Sequence, residues 1–278
     1  MTRPAPDRLT AALSHTDPAL GVFLPAGFPA PGLDLEALQA FAAAGARILE
    51  VGLPYSDPSL DGPAITTAYQ HALRHGTRIA DVLTTVRRAA ATTDAAVVVM
   101  TYYNPVYRYG VDRFTRALAD AGAAGAMIPD LPLEAAAPWI AACRAAGLHT
   151  PQFVARHTSD TRLAHIAAAA SGWLYAPATH GKTGARHDLD LPALQAFTTR
   201  LRRATPLPVV TGIGVATPQL AAQVAPFVDG AVIGSPVVRI LLGQPDPLGI
   251  AEAADRTAAF VESLRARDLS PLHSDTAP

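Results

Sequence analysis

The chain has 278 residues, 22 Lys+Arg against 23 Asp+Glu, and one cysteine. That length can bury a sizeable core, while the balanced charge excludes a basic nucleic-acid binder. A single cysteine excludes an intrachain disulfide framework and a cysteine-based zinc site, and no apolar run approaches the ~18 residues of a membrane span. Charged residues are 16% of the chain and hydrophobic residues 50%. The charged share is below the ~25% of ordinary domains. Much of the apolar share is Ala, which favours helix. The polar, Pro-rich start lacks an apolar signal core. The expectation is a soluble, helix-heavy cytoplasmic enzyme or enzyme subunit.

In chain order, short apolar runs alternate with helical stretches. A helix is expected within 2–15, lying over one end of the fold. Strands are expected at 19–24, 48–51, 96–101, 125–128, 151–154, 173–176, 208–211 and 230–234. Most are continuously apolar, as strands covered on both faces of a parallel sheet are. Helices are expected at 34–45, with Asp34 as N-cap and Gly45 as stop. Others fall at 112–121, 134–146, 160–170, 191–204 and 219–225. The interval between the second and third strands holds two, 63–74 and 79–91. Eight strands alternating with helices match a (β/α)8 barrel. A doubly wound open sheet is the competitor, but it lacks an early Gly-rich dinucleotide turn here. Residues 1–267 read as one barrel domain and 268–278 as a frayed polar tail.

In such a barrel the C-terminal ends of the strands carry the chemistry. Glu50 interrupts the apolar run Ile48-Leu-Glu50-Val-Gly52. Its neighbours face the other way, so Glu50 points into the barrel. A lone carboxylate there is costly unless paired or protonated. It is either a structural group bonded to a neighbouring strand or an acid–base group. Asp61 lies on the following loop and is either a site residue or an N-cap for the helix starting at Pro63. Thr211-Gly212-Ile-Gly214 and Ile233-Gly234-Ser235 end the last two strands. They place free N–H groups before helices, where this fold commonly holds phosphate.

The segment from Tyr175 to Arg186 is long and Gly-containing and reads as a water-excluding lid. Its Gly181-Lys182-Thr183 lacks the first Gly of a P-loop, since Ala176 stands there. Tyr102-Tyr103-Asn104-Pro105, with Tyr107 and Tyr109, forms an aromatic cluster that can line a planar substrate or a protein contact. His71 and His75 have i,i+4 spacing but no third ligand, so no metal site is expected. Cys143 packs in an Ala-rich helix. Arg156-His157 lies at a strand end without an assignable role.

Together these motifs resemble the tryptophan synthase alpha subunit family. The carriers are Glu50-Val-Gly-Leu-Pro-Tyr-Ser-Asp-Pro-Ser-Leu-Asp61-Gly-Pro, Met100-Thr-Tyr-Tyr-Asn-Pro105, Gly110, Pro129-Asp130-Leu-Pro132, Tyr175, Thr183-Gly184, Gly212-Ile-Gly214 and Gly234-Ser235. The likeness covers 23–242. It implies a (β/α)8 lyase that splits indole-3-glycerol phosphate into indole and glyceraldehyde 3-phosphate. It implies no cofactor on this chain, with pyridoxal phosphate only on a beta subunit in an α2β2 assembly. By match, Glu50 is the catalytic acid/base, Asp61 holds the indole N–H and Tyr175 joins the catalytic set. Gly184, Gly212, Gly214, Gly234 and Ser235 hold the phosphate, and Thr183 belongs to the lid. Pro54, Tyr55, Ser56, Asp57, Pro58, Asn104 and Pro105 face the beta subunit. The chain departs from the family at the lid, Pro177-Ala-Thr-His180-Gly-Lys182, and at Ala155-Arg156-His157-Thr158. A standalone indole-releasing lyase and a non-catalytic activating subunit are the competing readings.

Overall fold

The computed structural model describes residues 7–179 and 189–266. Helix α1 (Arg8–Leu13) comes first. Asp7 caps it, accepting from the backbone N–H of Leu9 and Thr10, both at 3.0 Å. That leaves the expected helix shorter within the described residues. α1 lies over the N-terminal ends of the strands: Arg8 donates to the carbonyls of Ala90 and Thr93, just ahead of β3 (Ala96–Met100).

Strands β1 (Ala19–Pro25) and β2 (Ile48–Gly52) flank α2 (Leu33–Ala43). Every residue of β1, β2 and β3 is buried. This is why, Glu50 apart, they read as apolar runs: fully burying each Val, Leu or Phe side chain contributes roughly 1.5–3 kcal/mol. Between β2 and β3 lie α3 (Pro63–Arg74) and α4 (Ile79–Thr92), as expected. Then come α5 (Tyr103–Tyr109), α6 (Val111–Asp120), β4 (Gly125–Met127), α7 (Ala137–Ala145), β5 (Gln152–Phe153), α8 (Asp160–Ala169) and β6 (Leu174–Tyr175). The chain continues through α9 (Leu191–Ala204), β7 (Val209–Thr211), α10 (Pro218–Val224), β8 (Gly230–Ile233), α11 (Ser235–Gly243) and α12 (Pro247–Arg265).

All strand pairs are parallel, in the order β4-β3-β2-β1-β8-β7-β6-β5. The two ends of that order meet through a bridge between Gly125 and His149. His149 N–H donates to Ala124 O at 2.9 Å and Ala126 N–H to His149 O at 3.0 Å. A Cβ on Gly125 would lie 2.6 Å from His149 O, so this seam closes only around glycine. The result is the eight-stranded barrel read from the sequence.

One expectation changes, and two features lie beyond the expected elements. Asp34 does not cap α2. Gly32 stands at that position with φ 93°. The buried Asp34 carboxylate accepts from Gly27 N–H, Gly32 N–H and Thr85 Oγ1, tying the β1–α2 loop to α4. The Tyr103–Tyr109 aromatic stretch forms a helix, with its first N–H donating to the Asp130 side chain at 2.9 Å. α11 and α12 also close the fold, and α12 packs across α2, α10 and α11. The expected tail, 268–278, lies outside the described residues.

Candidate active site

Glu50 stands in the middle of β2, in register with Phe23 on β1 and Val98 on β3. It is 4% exposed, and its Oε1 has no hydrogen-bond partner. A structural Glu bonded to a neighbouring strand would not leave that oxygen bare. Burial pushes its pKa up to about 8, and the nearby Asp61 charge adds to the rise. At neutral pH Glu50 is therefore a proton donor.

Asp61 hangs over the same space from the β2–α3 loop and is 8% exposed. Gly62 occupies the N-cap position of α3 and makes no side-chain cap. The Asp61 carboxylate instead accepts from Tyr102 Oη at 2.7 Å, while Tyr102 Oη accepts from Leu60 N–H at 3.1 Å. Burial raises the Asp61 pKa to about 6, against the lowering hydrogen bond from Tyr102. The two carboxyls thus titrate on opposite sides of neutrality, the usual mark of divided acid–base roles.

Tyr175 ends β6. Its hydroxyl accepts from Ile213 N–H at 2.8 Å, and its ring stacks on Phe153 at 5.6 Å. Burial and the Glu50 charge hold its pKa above the ordinary phenol value. Across the barrel, Gly212 and Gly214 form the turn after β7. Gly214 has φ 101°, and a Cβ there would lie 2.6 Å from Thr179 Cγ2, so only glycine suits the turn. Gly234 occupies the N-cap position of α11 without a side-chain cap, and the buried Ser235 Oγ has no partner. The first N–H groups of a helix have no intrahelical acceptor and carry positive potential. An unsatisfied hydroxyl beside them adds a further donor, an arrangement of the kind that suits an anion.

Glu50, Asp61, Tyr175, Gly212, Gly214, Gly234 and Ser235 all line one cavity of about 360 Å³. Ser59 apart, its remaining walls are apolar, with Phe23, Ile65, Met100, Met127 and Phe153 among them, which suits a flat apolar ring joined to an anion. The expected lid residue Thr183 and the expected phosphate ligand Gly184 lie outside the described residues. No group of three or more metal-ligating side chains occurs among the described residues. Cys143 is buried, and burial pushes its thiol up to about 12.

The residues expected to face a beta subunit differ in exposure. Within 54–58, Pro54 and Pro58 are buried, Tyr55 is half-buried, and only Ser56 and Asp57 are exposed. The turn as a whole is therefore not an exposed surface. Tyr55 stacks on Tyr102 at 5.3 Å, and its hydroxyl accepts from the exposed Asn104 Nδ2 at 3.3 Å. Pro54 and Pro105 line a shallow groove with Ile79 and Tyr109. Tyr107, 69% exposed, projects nearby from α5.

Tyr102 was legible only as part of an aromatic cluster. Its role as holder of Asp61 needs two loops 41 residues apart to meet, and no local pattern encodes that. His157 is exposed, whereas Arg156 turns inward to the carbonyls of Pro177 and Ala178.

Comparison with known proteins accords with this geometry. The family model for the tryptophan synthase alpha chain matches residues 9–267. The tryptophan synthase alpha chain of Streptomyces avermitilis is 47% identical over 247 residues, covering 89% of each chain. That of Streptomyces coelicolor is 46% identical over 253 residues, covering 91% of this chain and 93% of the relative. A solved structure of Mycobacterium tuberculosis tryptophan synthase superposes with a TM-score of 0.84 at 37% identity, covering 93% of this chain and 96% of the other. No helix among the described residues is long and apolar enough to cross a membrane. The chain belongs to the tryptophan synthase alpha chain family.

Proposed function

We propose that this chain cleaves indole-3-glycerol phosphate to indole and glyceraldehyde 3-phosphate, as the alpha subunit of a complex with a beta subunit. The observation that carries the reading is Glu50. It is a buried carboxyl with a bare oxygen and a pKa near 8, and it faces the same cavity as an anion cradle.

The step is a retro-aldol cleavage and needs an electron sink. Neutral Glu50 protonates indole C3, which turns the ring into an iminium-like cation. Ionised Asp61, held by Tyr102, accepts the indole N–H and stabilises that charge. The Glu50 carboxylate then takes the proton from the hydroxyl on the carbon attached to C3. The C–O bond becomes a carbonyl, the C3–carbon bond breaks, and its electrons return to the ring. The proton given to C3 is balanced by the one recovered, so the cycle closes with Glu50 neutral. Tyr175, fixed by Ile213 N–H, closes the cavity beside Glu50 and orients the glycerol chain. Gly212, Gly214, Gly234 and Ser235 hold the phosphate, which sets the reacting carbon over the acid.

Every acid–base group in this scheme is a side chain of this chain, so it draws on no cofactor here. Pyridoxal phosphate belongs to the beta subunit that consumes the indole. Docking of that subunit on Ser56, Asp57, Asn104 and the Pro54–Pro105 groove is supported by the Tyr55–Tyr102–Asp61 connection, which joins that surface to the catalytic carboxylate. Coupling of about 1–3 kcal/mol across it would give roughly 5–150-fold activation.

Indole release from indole-3-glycerol phosphate, measured with and without a beta subunit, tests the reading. Slow release alone and faster release with the partner are expected. Fast release unchanged by a beta subunit that demonstrably binds would instead assign a standalone lyase. No release in either state would leave a non-catalytic subunit.

A further inference from the structure

The cavity wall opposite Glu50 depends on a residue outside the cavity. Arg156 follows β5, and its side chain runs to the first residues after β6. Its Nε donates to Pro177 O at 3.2 Å and its Nη2 donates to Ala178 O. The backbone of Arg156 is itself held: Arg200 of α9 donates to Arg156 O at 3.3 Å and to Thr158 O at 2.7 Å, and pairs with Asp160.

The segment that Arg156 grips leads straight to the anion cradle. Ala178 and Thr179 both donate their N–H to Ile213 O, at 3.0 and 3.2 Å. The Thr179 side chain sits against Gly214 so closely that a Cβ could not fit between them. Below this, Thr211 Oγ1 donates to Ala176 O at 2.6 Å. Ile213, the residue between the two glycines of the turn, is therefore clamped from both sides: its carbonyl by 178–179 and its N–H by Tyr175. Two carbonyls held by one planar guanidinium form a rigid joint that a monodentate donor cannot reproduce.

We infer that Arg156 is a positioning residue for the phosphate-binding turn, acting through Pro177 and Ala178 on Thr179 and thence on Ile213 and Gly214. The inference rests on the phosphate role proposed for that turn. It predicts a particular split. Glu50 and Asp61 stand on the β2 side of the barrel and make no hydrogen bond to Arg156 or to residues 177–179 among the described residues. Loosening it should weaken grip on the anion while leaving the proton chemistry of bound substrate largely intact.

The test compares Arg156→Met and Arg156→Lys with the unaltered protein, each in complex with a beta subunit. Three quantities are read: KM and kcat for indole-3-glycerol phosphate, the calorimetric Kd for glycerol 3-phosphate, and Tm. Arg156→Met should raise KM and Kd together by roughly tenfold, the equivalent of one charge-assisted hydrogen bond, with kcat changed far less. Arg156→Lys keeps the charge and reaches one carbonyl, so it should recover part of the loss. A purely structural Arg156 would lower Tm without moving KM or Kd, and that result would overturn the inference. So would a loss confined to kcat. Should Arg156→Met fail to fold, an Arg156→Lys protein with normal Kd and KM would overturn it equally. The calorimetric measurement needs no turnover. An unaltered protein that binds glycerol 3-phosphate but releases no indole would refute the lyase reading while leaving Arg156 decided by its Kd.

Discussion

The two walls of the cavity solve opposite problems. On the β2–β3 side, Glu50, Asp61 and Tyr102 bring ionisable side chains out of water, and burial tunes them. On the β7–β8 side, Gly212, Gly214 and Gly234 present backbone, and the absence of side chains is what makes room. A side-chain wall can change protonation state and do chemistry. A backbone wall keeps fixed donors at all working pH values and can only bind and orient. Substitutions should therefore act on kcat at the first wall and on binding at the second.

The largest expected effect is at Glu50. Glu50→Gln should lower kcat by ~10²–10⁴-fold, the usual cost of losing a general acid–base group, with the phosphate-dependent Kd for glycerol 3-phosphate unchanged. Near-normal turnover in the folded variant would remove Glu50 from the mechanism. Asp61→Asn should also cut turnover while phosphate binding survives.

Gly234→Asp inverts the pattern. It puts a carboxylate at the N-terminus of α11, where the anion is expected, so glycerol 3-phosphate binding should fall on the order of 100-fold or more, at least the loss of one strong charged hydrogen bond. A crystal soaked with glycerol phosphate that held the anion elsewhere would refute the assignment of this wall.

The pH dependence sharpens the side-chain wall further. The proposed mechanism needs Asp61 ionised and Glu50 protonated, so kcat/KM should be bell-shaped, with limbs near 6 and near 8. Tyr102→Phe removes a bond that stabilises the Asp61 anion. It should move the acidic limb upward and lower turnover by about tenfold, in line with a hydrogen bond to a charged group. A Tyr102→Phe profile superimposable on the original would show that Tyr102 does not tune Asp61.

A separate readout of the same wall is stability. Glu50 binds its proton up to about 8 when folded, against an ordinary value of 4.5. Between those values the native state holds a proton that the unfolded chain releases, so this group makes stability fall as pH rises. Glu50→Gln abolishes that linkage. Its Tm should gain on the unaltered protein from about pH 4.5 to about pH 8, and a constant Tm difference over this range would contradict the buried, protonated state.

Much of this candidate site was legible in the sequence. The unbroken apolar runs marked the strands, because residues buried on both faces have no polar alternation to show. A charge inside one such run singled out Glu50. Glycines at the ends of the last two strands marked the cradle. Other features were signalled but not read: Asp246 before Pro247 is a cap followed by a first-turn proline, and it does open α12. The Tyr103–Tyr109 helix was hidden by aromatic residues and an internal Pro, which carry poor helix propensity and yield to tertiary packing.

By itself the sequence determined the number and order of the strands, the inward position of Glu50 and the glycine turns. Each of these is a local consequence of periodicity, burial or a backbone requirement. Only the tertiary structure decided the rest. Asp34 became a buried latch rather than a cap, Pro54 and Pro58 turned inward, Tyr102 took hold of Asp61, and Arg156 reached the carbonyls after β6. Most of those outcomes depend on hydrogen bonds between segments distant in the chain. A polar side chain accepts many partners equally well, so its choice is fixed only when the closing barrel strips water from the alternatives.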